Sequence, residues 1–310
     1  MVITRRHLQL GLAVFWIFDA ALQFQPYMLS HRFSAAVIGP SASGQPGFVS
    51  AAVSQVAHLI GDAPVPTDVV FALAQLAIGL GLLWRRSARW ALVGSIVWPL
   101  GIWYLGEGLG GVMSGHASLL TGAPGAALLY AIVAMAAWVG PLPARHEEPA
   151  SQYVLVGWAV VWGIGALLQA LPGQANAPAL AASLSGAGQG DPGWLAGADR
   201  AVAGWIGGGG GVVVSLLIAA EMVIALAPFL GGWMARVAAL AGGGFALLLW
   251  ALGQGFGQIY TGTATDPNSG PLLILMATAV YSWSANGLGT TWSGPGSWSR
   301  TRAGRPALSR

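Results

Sequence analysis

Eight apolar runs, at residues 8–29, 69–84, 90–105, 123–142, 153–171, 212–229, 234–252 and 271–283, take up nearly half of this 310-residue chain. A helix that crosses a bilayer needs roughly 20 apolar residues, and inside lipid the backbone must satisfy its own hydrogen bonds, which an α-helix does within one segment. The pattern therefore predicts an all-α, polytopic membrane protein with eight transmembrane helices. Charge agrees with this, since only 7% of residues are charged against 55% hydrophobic, too few to coat a soluble fold of this length.

The chain has no Cys. Disulfides, thiolate metal sites and thiol redox chemistry by its own side chains are excluded, so any electron chemistry requires a bound cofactor. All 13 basic residues other than His are Arg, and their distribution speaks to membrane orientation. With a cytoplasmic N-terminus, eleven Arg fall inside and only Arg32 and Arg200 outside. Both termini are expected on the cytoplasmic side of the cell membrane, with lipid as the surrounding partner. No basic stripe interleaved with aromatics points to nucleic acid.

The same segment is written twice. "WYLGEGLGGVMSG" begins at Trp103 and "WALGQGFGQIYTG" begins 147 positions later at Trp250. Upstream, "VFWIFDAALQFQP" from Val14 aligns with "VVWGIGALLQALP" from Val160, and "QPGF" from Gln45 with "DPGW" from Asp191. Pro124 aligns with Pro271 in the same register. The expected organisation is one four-helix repeat at 1–146, a second at 147–290 and a flexible cytoplasmic tail at 291–310. An even number of spans per unit makes the repeats parallel, related by an axis along the membrane normal. "TRRHLQL" before the first apolar run is similar to a twin-arginine export signal. The first run has a retained counterpart deep in the chain, so it reads as a structural helix rather than a cleaved leader. Long outer segments follow the first helix of each unit, and their mixed small, apolar and polar spacing predicts interfacial helices.

Polar residues are scarce enough to single out. Asp19 is placed near mid-membrane by its distance into the first run, and Glu221 at similar depth in the sixth. Intramembrane acids are costly, at roughly 2.5–3.5 kcal/mol each, and are candidates for proton handling or for hydrogen bonds between helices. At the outer end, Gln23 and Gln169 precede Pro by three residues, while Glu107 and Gln254 lie inside the Gly-rich turns, beside Trp103, Trp250 and Tyr260. These residues are expected to line two related outer pockets that hold a polar head group. No strand precedes the turns, so a dinucleotide fingerprint is unsupported. His31, His58 and His116 are expected outside, two of them three residues after a Met, a pairing that suits copper or haem iron.

The run "SLLIAAEMVIALAPFLGGWMARVAALAGGGFALLL" from Ser215, with its acid, short loop, Arg and small-residue-rich helix, resembles the central helix pair of the DoxX superfamily of four-helix membrane proteins. "FALAQLAIGLGLLWRRSARWALVGSIV" from Phe71 is the weaker first-repeat version, with Gln75 where Glu221 stands. The resemblance implies a membrane subunit of a redox or respiratory system, with a membrane or outer-face protein partner. Quinone is the cofactor class it favours, bound through Gln23, Glu107, Gln169 and Gln254. The chain departs from the superfamily pattern in its duplication, its long outer segments and its lack of Cys. Two other readings come from the residues alone. One is a proton-coupled transporter using Asp19 and Glu221; the other is a structural or assembly subunit without chemistry of its own.

Overall fold

The computed structural model describes residues 3–138, 153–171 and 175–285. The expected repeat boundary at 146/147, Pro172 and the 291–310 tail lie outside them. Among the described residues the chain is helical throughout, with no strand element.

Each of the eight apolar runs contains a helix: α1 (Arg5–Gln23), α4 (Pro64–Leu83), α5 (Ala88–Leu105), α6 (Ala126–Ala136), α7 (Tyr153–Ala170), α9 (Gly193–Leu226), α10 (Gly232–Ala251) and α11 (Ser269–Ala285). Between them lie α2 (His31–Phe33), α3 (Gly47–Asp62) and α8 (Ala177–Ala187). Four helices are long and apolar enough to cross a membrane: α4, α7, α9 with its 3₁₀ extension to Leu230, and α10. That is half the expected number. α6 covers 11 residues and α11 covers 17, while α1 carries Arg5, Arg6 and Asp19. The outer helix expected after the fifth run and the helix of the sixth meet at Gly210, whose backbone (φ 58°, ψ −153°) is not helical, so α9 is two helices joined across a kink.

α1 packs along α4, and α7 along α9; α5 pairs with α6, and α10 with α11. α6 also meets α1, α7 and α11. Lipid supplies no hydrophobic drive between helices, so close approach and interhelical hydrogen bonds must hold them. Trp16 Nε1 donates to Ser95 Oγ at 2.7 Å, joining α1 to α5. Trp158 Nε1 donates to the Ile224 carbonyl at 2.8 Å, joining α7 to α9. Arg6 donates to the carbonyls of Leu82 and Leu83, satisfying the C-terminal end of α4.

α1 starts three residues earlier than the apolar run and stops at Gln23, six short of its expected end. Asp19 therefore stands one helical turn before Gln23, the last residue of α1, on the same face of the helix. The ends of the helices gather there: Leu105 of α5, Ala126 of α6 and Asp19 of α1 line one cavity.

Gly79 sets the approach of α4 to α1. A Cβ there would stand 2.7 Å from Ile17 Cγ1, 3.1 Å from the Ile17 nitrogen and 3.2 Å from the Ala13 oxygen, two of them backbone atoms that cannot turn aside. Gly79→Ala is expected to destabilise the bundle by about 1–3 kcal/mol, seen as a lower melting temperature of the purified protein. Gly244→Ala, in open space on α10, is expected to leave it unchanged.

Candidate functional site

Each Gly-rich turn closes on the helix that follows it. Glu107 Oε1 accepts the Ala127 backbone N–H at 3.1 Å, and Gln254 Oε1 accepts the Gly270 N–H at 3.1 Å. Both donors belong to the first turn of a helix, α6 or α11, where N–H groups lack intrahelical partners. Trp103 Nε1 donates to the Pro124 carbonyl at 2.6 Å, and Trp250 Nε1 to the Pro267 carbonyl at 2.8 Å. Gly110 and Gly257 have φ of 62° and 70° and lie against those same two carbonyls, where a Cβ would collide. The partner of Pro124 by these contacts is thus Pro267, four residues before the Pro271 that a constant register gives. Trp103 and Trp250 spend their N–H groups on loop carbonyls, and neither lines the cavity.

That cavity, of about 620 Å³, lies between α1, α3, α4, α5 and α6. Trp16, Phe33, Phe71, Trp98 and Tyr130 supply aromatic wall, and Asp19, Gln23, Gln75 and Glu107 supply the polar groups. Pro99 and Gly101 thin the facing side of α5. Tyr130 Oη donates to Asp19 Oδ2 at 2.5 Å. Asp19, Gln23 and Gln75 are 2%, 3% and 5% exposed, yet Asp19 Oδ1, Gln23 Oε1, Gln75 Oε1 and Glu107 Oε2 accept no hydrogen bond from the protein. Gln169 Oε1 and Glu221 Oε2 in the second half also lack a protein donor; the four acceptors of the first half differ in belonging to residues that line one cavity.

The second half contributes Thr265, Asp266 and Asn268 to the same cavity. Asp266 accepts from Thr265 Oγ1 and from the Asn268 N–H, each at 2.7 Å. Burial raises the Asp266 carboxyl above its ordinary value. Burial and the Asp266 charge together push Glu107 up to about 8, against the lowering effect of the Ala127 hydrogen bond.

The expected residues divide. Gln23, Glu107 and Asp19 meet in the cavity, and His116 stands at its exposed rim. Gln254 lines a separate recess of about 500 Å³ with Tyr27, Ser183 and Asp266. Gln169 is buried and donates from Nε2 to Glu221 Oε1, and Leu119 packs against Gly165 beside them. Tyr260 donates to Asp191 Oδ1 at 2.6 Å; burial and that carboxylate hold its phenol above the usual range. His31 and His58 are exposed on α2 and α3. Among the described residues no three His, Asp or Glu converge to hold a metal ion. Sequence reasoning gave Gln75 and Tyr130 no site role. Gln75 was visible as the counterpart of Glu221, and Tyr130 as the one hydroxyl in the apolar run of α6.

The chain matches no protein-family model, no curated protein and no solved structure.

Glu107→Gln is expected to fold normally, because Gln254 makes the same contact with an amide, whereas Glu107→Ala should cost about 0.5–2 kcal/mol, as loss of a helix cap does. A carboxyl whose folded value is raised stabilises the fold fully below its ordinary value and loses that contribution as pH rises through the folded value. For Glu107 the window runs from 4.5 to about 8. Melting curves across it should show wild type losing stability relative to Glu107→Gln as pH rises. A constant difference between the two proteins would refute the assignment.

Proposed function

We propose that this chain is an integral membrane protein that receives a small amphiphilic ligand in the cavity of its first half, near the outer face of the cell membrane. The observation that carries this reading is the convergence of aromatic walls with four buried, unmatched acceptors in a space of about 620 Å³, within the size range of small-molecule sites. The analogous region of the second half is closed, with Leu119 against Gly165 and Gln169 bonded to Glu221. A duplicated scaffold with one open and one closed interior is what specialisation of one copy produces.

In this reading all eight apolar helices belong to the membrane unit as two parallel four-helix repeats, with both termini cytoplasmic. The paired contacts of the two Gly-rich turns support the duplication, and the Arg distribution supports the orientation. The resemblance to the DoxX superfamily supports a place beside a redox partner, with a quinone-like molecule among the ligands to be tried. Glu107 in its neutral form would donate to a quinone carbonyl.

Gly101 lines the cavity, and a Cβ there meets nothing within 4 Å. Organic extracts of the purified protein, read by mass spectrometry, should contain a small amphiphile in wild type that is missing from folded Gly101→Phe. Equal extracts from the two proteins would place the ligand elsewhere.

A transporter reading has its own support in the two buried acids, Asp19 and Glu221, one in each half. It requires proton flux in proteoliposomes that falls to background when Asp19→Asn is combined with Glu221→Gln; flux that survives the double variant eliminates it.

A further inference from the structure

We propose that the ligand of the first-half cavity is an organic cation: a protonated amine on an apolar, ring-bearing body. This rests on the reading that the cavity receives a small amphiphile, and it adds the ligand's charge and hydrogen-bonding sense.

The inference begins with which atoms are left over. Asp19 already accepts from Tyr130 on Oδ2, and Glu107 already accepts from the Ala127 N–H on Oε1. In each carboxyl the second oxygen, Asp19 Oδ1 or Glu107 Oε2, has no protein donor. A carboxyl that accepts on one oxygen and has no donor on the other keeps capacity for one more donor when ionised. Gln23 and Gln75 can turn either end of their amides to a ligand and so fit donors as well as acceptors. The carboxylates are acceptors only while ionised, and they decide the sense.

Charge balance points the same way. Asp19, Glu107 and Asp266 share the cavity, no Arg among the described residues lines it, and the chain contains no Lys; His116 stands at the rim. With no cation beside them, burial holds Glu107 and Asp266 towards their protonated forms. A bound ammonium group would let a carboxyl ionise by pairing with it, donating to an oxygen that has no protein donor. The walls suit the same ligand, because the faces of Trp16, Phe71, Trp98 and Tyr130 attract cations as well as apolar rings.

The two halves supply an internal control. Gln254 meets the structural demand on Glu107 with a neutral amide. Capping α6 therefore does not require a carboxylate, and the charge at position 107 is free for the ligand.

Full-length protein in lipid nanodiscs would be titrated calorimetrically with phenylbutylamine, phenylbutanol, phenylbutyrate and a short-chain benzoquinone. The amine should bind at least about tenfold more tightly than the alcohol, the value of one charge-assisted hydrogen bond, and the butyrate most weakly. Glu107→Gln, with its cap kept, should erase the preference for amine over alcohol while leaving alcohol binding intact. Asp19→Asn should reduce it as well.

A pH series separates the alternatives. The titratable groups facing Glu107 are Asp19 from α1, Tyr130 from α6, Asp266 and His116 from the loops; α4 and α5 present only Gln75 and uncharged side chains. Amine binding should strengthen as pH rises towards 8, and quinone binding through a neutral Glu107 should weaken over the same range. Alcohol and benzoquinone binding equal to or tighter than the amine, unchanged in Glu107→Gln, overturns the cation assignment and leaves the amphiphile reading standing. Failure of all four probes to bind overturns both.

Discussion

The first turn of α6 and the first turn of α11 each need an acceptor from elsewhere, and each finds it on a side chain about twenty residues back in sequence. Glu107 and Gln254 are those acceptors. Ala127 and Gly270 are buried, and a buried N–H left without a partner costs on the order of a few kcal/mol. The Gly-rich turns exist to deliver these oxygens. Their positive-φ glycines let the chain double back until the side chain meets the helix end, and Trp103 and Trp250 pin the far side of the loop.

Once the turns are fixed, the loops before α6 and α11 cross between the halves. Leu119 from the first enters the second half beside Gly165, while Asp266 and Asn268 from the second line the cavity of the first. A shared architecture thereby yields unequal interiors. The substitutions that distinguish the copies are small: Asp19 against Gly165, Gln75 against Glu221, Glu107 against Gln254. In the first half Asp19 Oδ1, Gln23 Oε1, Gln75 Oε1 and Glu107 Oε2 are left without a protein donor. In the second, Gln169 Nε2 bonds Glu221 Oε1, while Gln169 Oε1 and Glu221 Oε2 are likewise without a donor.

The membrane character, the helices of the apolar runs and the importance of the turns were legible in sequence, because apolar length and repeated Gly spacing are local properties. The limits were local too. A constant register paired Pro124 with Pro271, since nothing in the sequence reveals that four residues are missing from the second loop; the Trp hydrogen bonds assign Pro267 instead. The apolar run continues past Gln23, where α1 stops, so run length alone overstates the helix by six residues. Tyr130 escaped notice because its importance comes from Asp19, more than a hundred residues away.

What the sequence by itself determined was the membrane character of the helices and the recurrence of one Gly-rich segment: apolar run length and self-similarity are written residue by residue. Only the tertiary structure decided which polar groups satisfy one another and which remain open, because Gln23, Gln169, Glu107 and Gln254 look alike as letters. Their chemistry differs according to whether a partner atom from a distant helix comes within about 3 Å, the reach of a hydrogen bond.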